Sequence, residues 1–180
     1  MKNEISGGSA EEALLSPRVD AATAAATGFS EAGVEGKALK ITGPQGKGVK
    51  LDTKIADTTN YSVSMWVNAV ALGETLDQTF APVFRLSGNG FENLWFSNMG
   101  SSEYFLIRGS TWMSSGLAEY ESGNQTGVLV KDTWKMLTLS VDNGLGKFYV
   151  DGEYKFDVKV KTGTDCEMYL GTCTNDFTFN

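Results

Sequence analysis

The sequence predicts an all-β fold, one antiparallel two-sheet sandwich or jelly roll, and three observations carry that expectation. Between residues 134 and 161 three consecutive arms alternate apolar and polar side chains with a period of two. Twenty-one glycines stand against 3 prolines, many in Asn-Gly, Asp-Gly or Ser-Gly pairs, as expected of many strands joined by tight turns. From residue 38 onward strand candidates recur at the spacing of a sandwich, roughly ten to twelve of them.

In chain order, residues 1–27 read as an N-terminal extension or edge segment and 28–180 as a single β-sandwich domain. Residues 1–8 look like a lead without structure. Ser9-Ala10-Glu11-Glu12 has the spacing of a capping box ahead of Ala13, Leu14 and Leu15, but Pro17 follows at once. At most one or two helical turns fit there, lying over a sheet edge. Residues 20–27 are small and weakly patterned, a linker or an irregular edge strand. Residues 36–43 and 48–53 are short strands separated by a Pro-Gln-Gly turn. Residues 61–70 form the strongest single strand: Tyr61, Val63, Met65, Val67 and Ala69 share one face, while Ser62, Ser64, Trp66 and Asn68 share the other. Residues 82–86, 91–97, 104–108 and 127–130 are further candidates.

The C-terminal arms are the clearest. Leu137, Leu139 and Val141 share one face of the first arm, and Asp142-Asn143-Gly144 turns the chain. Phe148 and Val150 share one face of the second arm, and Asp151-Gly152 supplies the positive φ angles of a tight hairpin turn. Tyr154, Phe156, Val158 and Val160 alternate with Lys155, Asp157, Lys159 and Lys161. The expected core is Val63, Met65, Val67, Leu137, Leu139, Val141, Phe148, Val150, Phe156 and Val158. Cys166 and Cys173 fit either a local disulfide or two free thiols.

Composition excludes several functions. At 180 residues with 41% apolar content the chain suits one domain with a sizeable core. A net charge of -7 and the lack of a Lys/Arg run argue against nucleic acid as a partner. Histidine is absent, which removes Ser-His-Asp and Cys-His nucleophiles and the usual zinc sets. No window approaches the ~18 apolar residues of a membrane span, so no membrane insertion is expected. The start, Met1-Lys2-Asn3-Glu4, lacks a signal-peptide apolar run, so the expectation is an excised domain or a chain released without such a signal.

The segments EGKALKITG, YSVSMWVNA and WKMLTLSVDNGLGKFYVDGEYK, in that order, resemble the laminin G-like, concanavalin A-like jelly-roll domains attached to bacterial surface proteins and glycoside hydrolases. The resemblance covers about residues 28–180. It implies two stacked antiparallel sheets, with a concave face or loop rim that often binds glycans and sometimes a calcium ion. It also implies an extracellular or cell-surface location; a virion surface belongs to the alternative reading, a structural or adhesive domain of a cell-surface or virion assembly. Two departures stand out. The family continues with a glycine and an acidic pair where this chain ends in Asp176-Phe177-Thr178-Phe179-Asn180, so the Ala-rich N-terminal segment or a second chain would fill that sheet position. No acidic cluster marks a calcium site.

The Glu-x-Asp-x-(x)-Glu run of related glycosidases is also missing. The nearest pair, Glu119 and Glu121, reads as a solvated hairpin tip, so the expectation is a protein that is not an enzyme. Aromatic faces suit the apolar faces of sugar rings, and Arg or Asn side chains suit their hydroxyls or an acidic group. The candidate ligand-binding set is therefore Trp66, Asn68, Arg85, Trp95, Tyr104, Arg108 and Trp112, with Trp134 read as structural. Against it, Trp66 could pack beneath a loop, and Arg85 and Arg108 could be surface charge or structural ion pairs. Two functional classes follow: a carbohydrate-binding, lectin-like domain, or a structural or adhesive domain making protein–protein contacts.

Overall fold

The computed structural model describes residues 13–15, 28–30, 33–35, 38–40, 49–69, 81–88, 91–99, 103–109 and 117–170. Twelve strands are present among them: β1 (Ala13–Leu15), β2 (Gly28–Ser30), β3 (Ala38–Lys40), β4 (Val49–Asp57), β5 (Asn60–Asn68), β6 (Ala81–Gly88), β7 (Phe91–Met99), β8 (Glu103–Arg108), β9 (Trp134–Asp142), β10 (Leu145–Val150), β11 (Glu153–Lys159) and β12 (Thr164–Leu170).

Alternation and turn chemistry build the smaller sheet, ordered β11-β10-β9-β5 and antiparallel throughout. At both hairpins the turn residues take positive φ, Asn143 (47°) with Gly144 (78°) and Asp151 (52°) with Gly152 (83°). Their twist matches that of the flanking strands. The larger sheet has the order β1-β4-β12-β6-β7-β8, and β2 pairs with β3 separately. The two large sheets close on one core. Phe84, Leu86, Trp95, Phe105 and Ile107 come from one, and Leu137, Leu139, Val141, Phe148, Val150 and Val158 from the other. All ten expected core residues belong to this cluster or pack against it. Phe148 is its hub: its ring stacks on Phe105 (5.3 Å) and Phe156 (5.0 Å) and meets Trp95 edge-on at 5.6 Å. This is the jelly-roll sandwich that the strand pattern predicts.

Four expectations change. Ala13, Leu14 and Leu15 form strand rather than helix, paired with Leu51, Lys50 and Val49 at the edge of the larger sheet. Residues 127–130 are not a strand: Gly127 has φ 70°, a left-handed conformation that interrupts an extended run. The hairpin tip expected at Glu119 and Glu121 is a 3-10 turn (Leu117–Tyr120) followed by an isolated bridge from Glu121 to Arg108. The fourth change concerns Tyr154 and is described with the site. Cys166 is a free, buried thiol, and Cys173 lies outside the described residues.

Candidate functional site

Among the described residues, the aromatics most open to solvent, Trp66 and Tyr154, lie on the outer face of the four-stranded sheet. Strand parity sends Ser62, Ser64, Trp66 and Asn68 outward from β5, and Ser140, Thr138 and Met136 outward from β9. Register puts them opposite one another: Ser62 faces Ser140, Ser64 faces Thr138, and Trp66 faces Met136. The hydroxyl pairs hydrogen-bond across the strands, Ser62 Oγ to Ser140 Oγ at 3.1 Å and Ser64 Oγ with Thr138 Oγ1 at 2.9 Å. Each hydroxyl keeps capacity for a further partner. Trp66, 49% exposed, ends this hydroxyl ladder.

A β-bulge adds a second aromatic group to the same face. Phe148 pairs with Phe156 but Tyr149 pairs with Tyr154, so the register shifts by one residue and Lys155 has no opposite partner. Tyr154, whose parity with Phe156 predicts a core position, is thereby turned out beside Tyr149 and is 54% exposed. The two rings meet edge-to-face, 6.0 Å between centroids. Tyr149 in turn lies across from Thr138. Trp66, the hydroxyls and the tyrosine pair thus share one surface, with Trp66 and Tyr149 two strands, about 10 Å, apart. The Tyr154 phenol is pushed up by desolvation, with the charge of Asp157 and a hydrogen bond to its side chain adding to it.

The other sequence-predicted site residues are dispersed. Asn68 sits at the end of the same face opposite Trp134, and its Oδ1 is shielded from solvent with no donor among the described residues. Trp95 is not a surface group: it is 0% exposed and packs on Phe84 at 4.9 Å. Its strand has mixed polarity on both faces. The polar neighbour Asn93 is itself inside, where its Nδ2 donates to the Tyr61 hydroxyl at 2.7 Å. Arg85 is 3% exposed, hence not available on the surface. Its Nη2 donates to Ser87 Oγ at 3.0 Å, and its guanidinium lies 4.9 Å from the Tyr169 ring centroid. Arg108 is ion-paired with Glu121. Tyr169, Arg85, Leu94 and Arg108 occupy one cross-strand row of the larger sheet, so Arg85 and Arg108 are brought together, but on the sheet opposite Trp66. Tyr104 pairs with Asn98 on that sheet, and Trp112 lies outside the described residues. Tyr154 escapes the period-2 pattern because the bulge leaves no mark in it, whereas the alternation of Phe148 and Val150 already points Tyr149 outward.

Neither glutamate of the 119–121 segment is placed for paired-carboxylate chemistry. Glu119 Oε2 accepts from Lys159 Nζ at 3.1 Å, while Glu121 faces Arg108. Among the described residues no group of three or more His, Cys, Asp or Glu side chains is assembled to hold a metal ion. Burial pushes the Cys166 thiol up, which leaves it protonated and unreactive.

The family model of the concanavalin A-like lectin/glucanases superfamily matches residues 43–177. No curated protein matches the chain. Among solved structures, the chain is similar to domain 4 of AbnA, a GH43 extracellular arabinanase from Geobacillus stearothermophilus solved in complex with arabinotriose. That match has 24% identity and a TM-score of 0.51, over 94% of this chain and 77% of that one. The carbohydrate-binding module CBM66 from Bacillus subtilis matches at 12% identity and a TM-score of 0.42, over 81% of this chain and 89% of that one. With the family model spanning most of the chain, and with two antiparallel sheets around one core, the chain belongs to the concanavalin A-like lectin/glucanase superfamily.

Proposed function

We propose that this domain is a non-catalytic carbohydrate-binding module that holds a glycan against the outer face of its four-stranded sheet, as one domain of a surface-exposed or secreted protein. The single observation that carries the reading is the exposed Trp66 beside a hydroxyl ladder and the Tyr149–Tyr154 pair on one open face. Flat rings cover the apolar faces of sugars, and hydroxyls between them satisfy the sugar's own. Family membership supports the ligand class. The arabinotriose complex of the similar arabinanase domain, which comes from an extracellular enzyme, agrees with it. Non-catalysis is supported by the lack of histidine and by the separate basic partners of Glu119 and Glu121.

The test is titration of the pure domain with arabino-, xylo- and gluco-oligosaccharides, alongside thermal melts. Trp66→Ala and Tyr154→Ala should each weaken the best ligand about five- to 150-fold, the equivalent of ~1 to 3 kcal/mol, with little change in Tm. Wild-type affinity in both variants would sink this site. The competing reading, an adhesive or structural domain that uses the same face for protein contacts, predicts a stable oligomer on size exclusion that Trp66→Ala dissociates.

A further inference from the structure

At the opposite end of the same sheet, six residues and about 20 Å along the strands from Trp66, the loops enclose an open groove of about 630 Å³. That volume lies within the roughly 300–1,000 Å³ typical of ligand clefts. Thr59, Tyr120, Asn143, Lys159, Lys161 and Thr162 supply its polar lining. The groove is built by backbone bonds from separate parts of the chain. Gly109 N donates to Tyr120 O at 2.8 Å, Lys161 N donates to Gly109 O at 2.6 Å, and Val160 N donates to Gly144 O at 2.8 Å. Tyr120 and Lys161 are thus both hydrogen-bonded to the backbone of one residue, Gly109. Gly109 permits this because a Cβ there would lie 2.2 Å from Lys159 O.

The charges in the groove are unevenly matched. Lys159 faces Glu119 at 3.1 Å, and the Asp57 carboxylate accepts both the backbone N–H and the hydroxyl of Thr59 (2.8 and 2.7 Å). Asp142 accepts from Asn143 Nδ2 at 2.7 Å. Lys161, only partly exposed, has its Nζ 5.5 Å from the Tyr120 ring centroid and no carboxylate within ion-pair distance among the described residues. An ammonium held in place by an aromatic ring, without a protein anion and among hydroxyl and amide groups, matches a sugar that carries its own negative charge. We propose that this groove is a second binding site, separate from the Trp66 face, and that it takes a carboxylate-bearing saccharide unit, a uronic acid, through Lys161. A simple anion shares the charge but has no use for the neutral hydrogen-bonding groups of Asn143, Thr59 and Thr162.

The experiment is a titration of the full chain, followed by amide NMR shifts, with trigalacturonic acid, its methyl ester and inorganic phosphate. Trigalacturonic acid should shift the amides of Thr59, Gly144, Lys161 and Thr162. Its affinity should fall about tenfold in Lys161→Gln, recover in Lys161→Arg, and fall similarly in about 0.5 M NaCl. Trp66→Ala should leave this affinity unchanged, which separates the groove from the sheet face. Equal binding of the methyl ester, equal binding of phosphate at the same amides, or wild-type affinity in Lys161→Gln would each overturn the inference. Loss in Trp66→Ala with none in Lys161→Gln would overturn the groove and leave the sheet face standing.

Discussion

The two outward faces of the sandwich are built on opposite terms. On the four-stranded sheet the outward positions meet solvent, with Ser62, Ser64 and Ser140 exposed and Trp66 and Tyr154 about half exposed. On the six-stranded sheet the outward positions Arg85 and Leu106 are buried, at 3% and 6% exposure. One sheet therefore has a wet face and a dry face, while the other is covered on both sides in this region. Exposed aromatics on a wet face are available to a ligand, whereas an arginine on a covered face must satisfy itself inside the protein. Arg85 does so through Ser87 and the Tyr169 ring.

Substitutions at the tryptophans sharpen this contrast most. Trp95→Ala should destabilise by ~3 to 5 kcal/mol, because it empties a site between Phe84 and Phe148. Trp66→Ala should stay within about 0.5 kcal/mol of wild type, as exposed substitutions generally do. Paired denaturant titrations check both, and a similar loss at the two positions would erase the distinction between the faces.

Gly109→Ala is expected to cost about 1–3 kcal/mol, since the added Cβ meets the backbone at Lys159 O (2.2 Å) and Val160 Cα (2.6 Å), neither of which can rotate away. Its effect should centre on the Tyr120 and Lys161 end of the sandwich, and hydrogen exchange at Lys161 would report it.

The smallest expected effect is electrostatic. The Lys135 ammonium and the Met136 N–H hold the Asp151 carboxyl below its ordinary value of 3.8. A carboxyl depressed in the folded state stabilises above its unfolded value, and that contribution fades as pH falls below 3.8 toward the folded one. Asp151→Asn should therefore lower Tm slightly at neutral pH and narrow its gap from wild type in acid. A gap that does not depend on pH would assign the effect to turn geometry instead.

The sequence determined the smaller sheet nearly outright. The alternation of Leu137, Leu139 and Val141, the Asn143-Gly144 and Asp151-Gly152 turns and the outward Trp66 are local facts. They follow from the period of a pleated strand and from which residues tolerate positive φ. Tertiary structure alone decided where Trp95, Arg85 and Tyr154 went. Asn93 is polar in sequence yet lies inside because Tyr61, thirty-two positions away, supplies its partner, and Trp95 follows it inward. Arg85 is buried because both faces of its sheet region are covered. Tyr154 turns outward because one bulged residue, Lys155, inverts the parity of everything before it on β11. A period-2 pattern carries no record of which residue a partner strand will skip, and a side chain's burial depends on what packs over it from elsewhere in the chain.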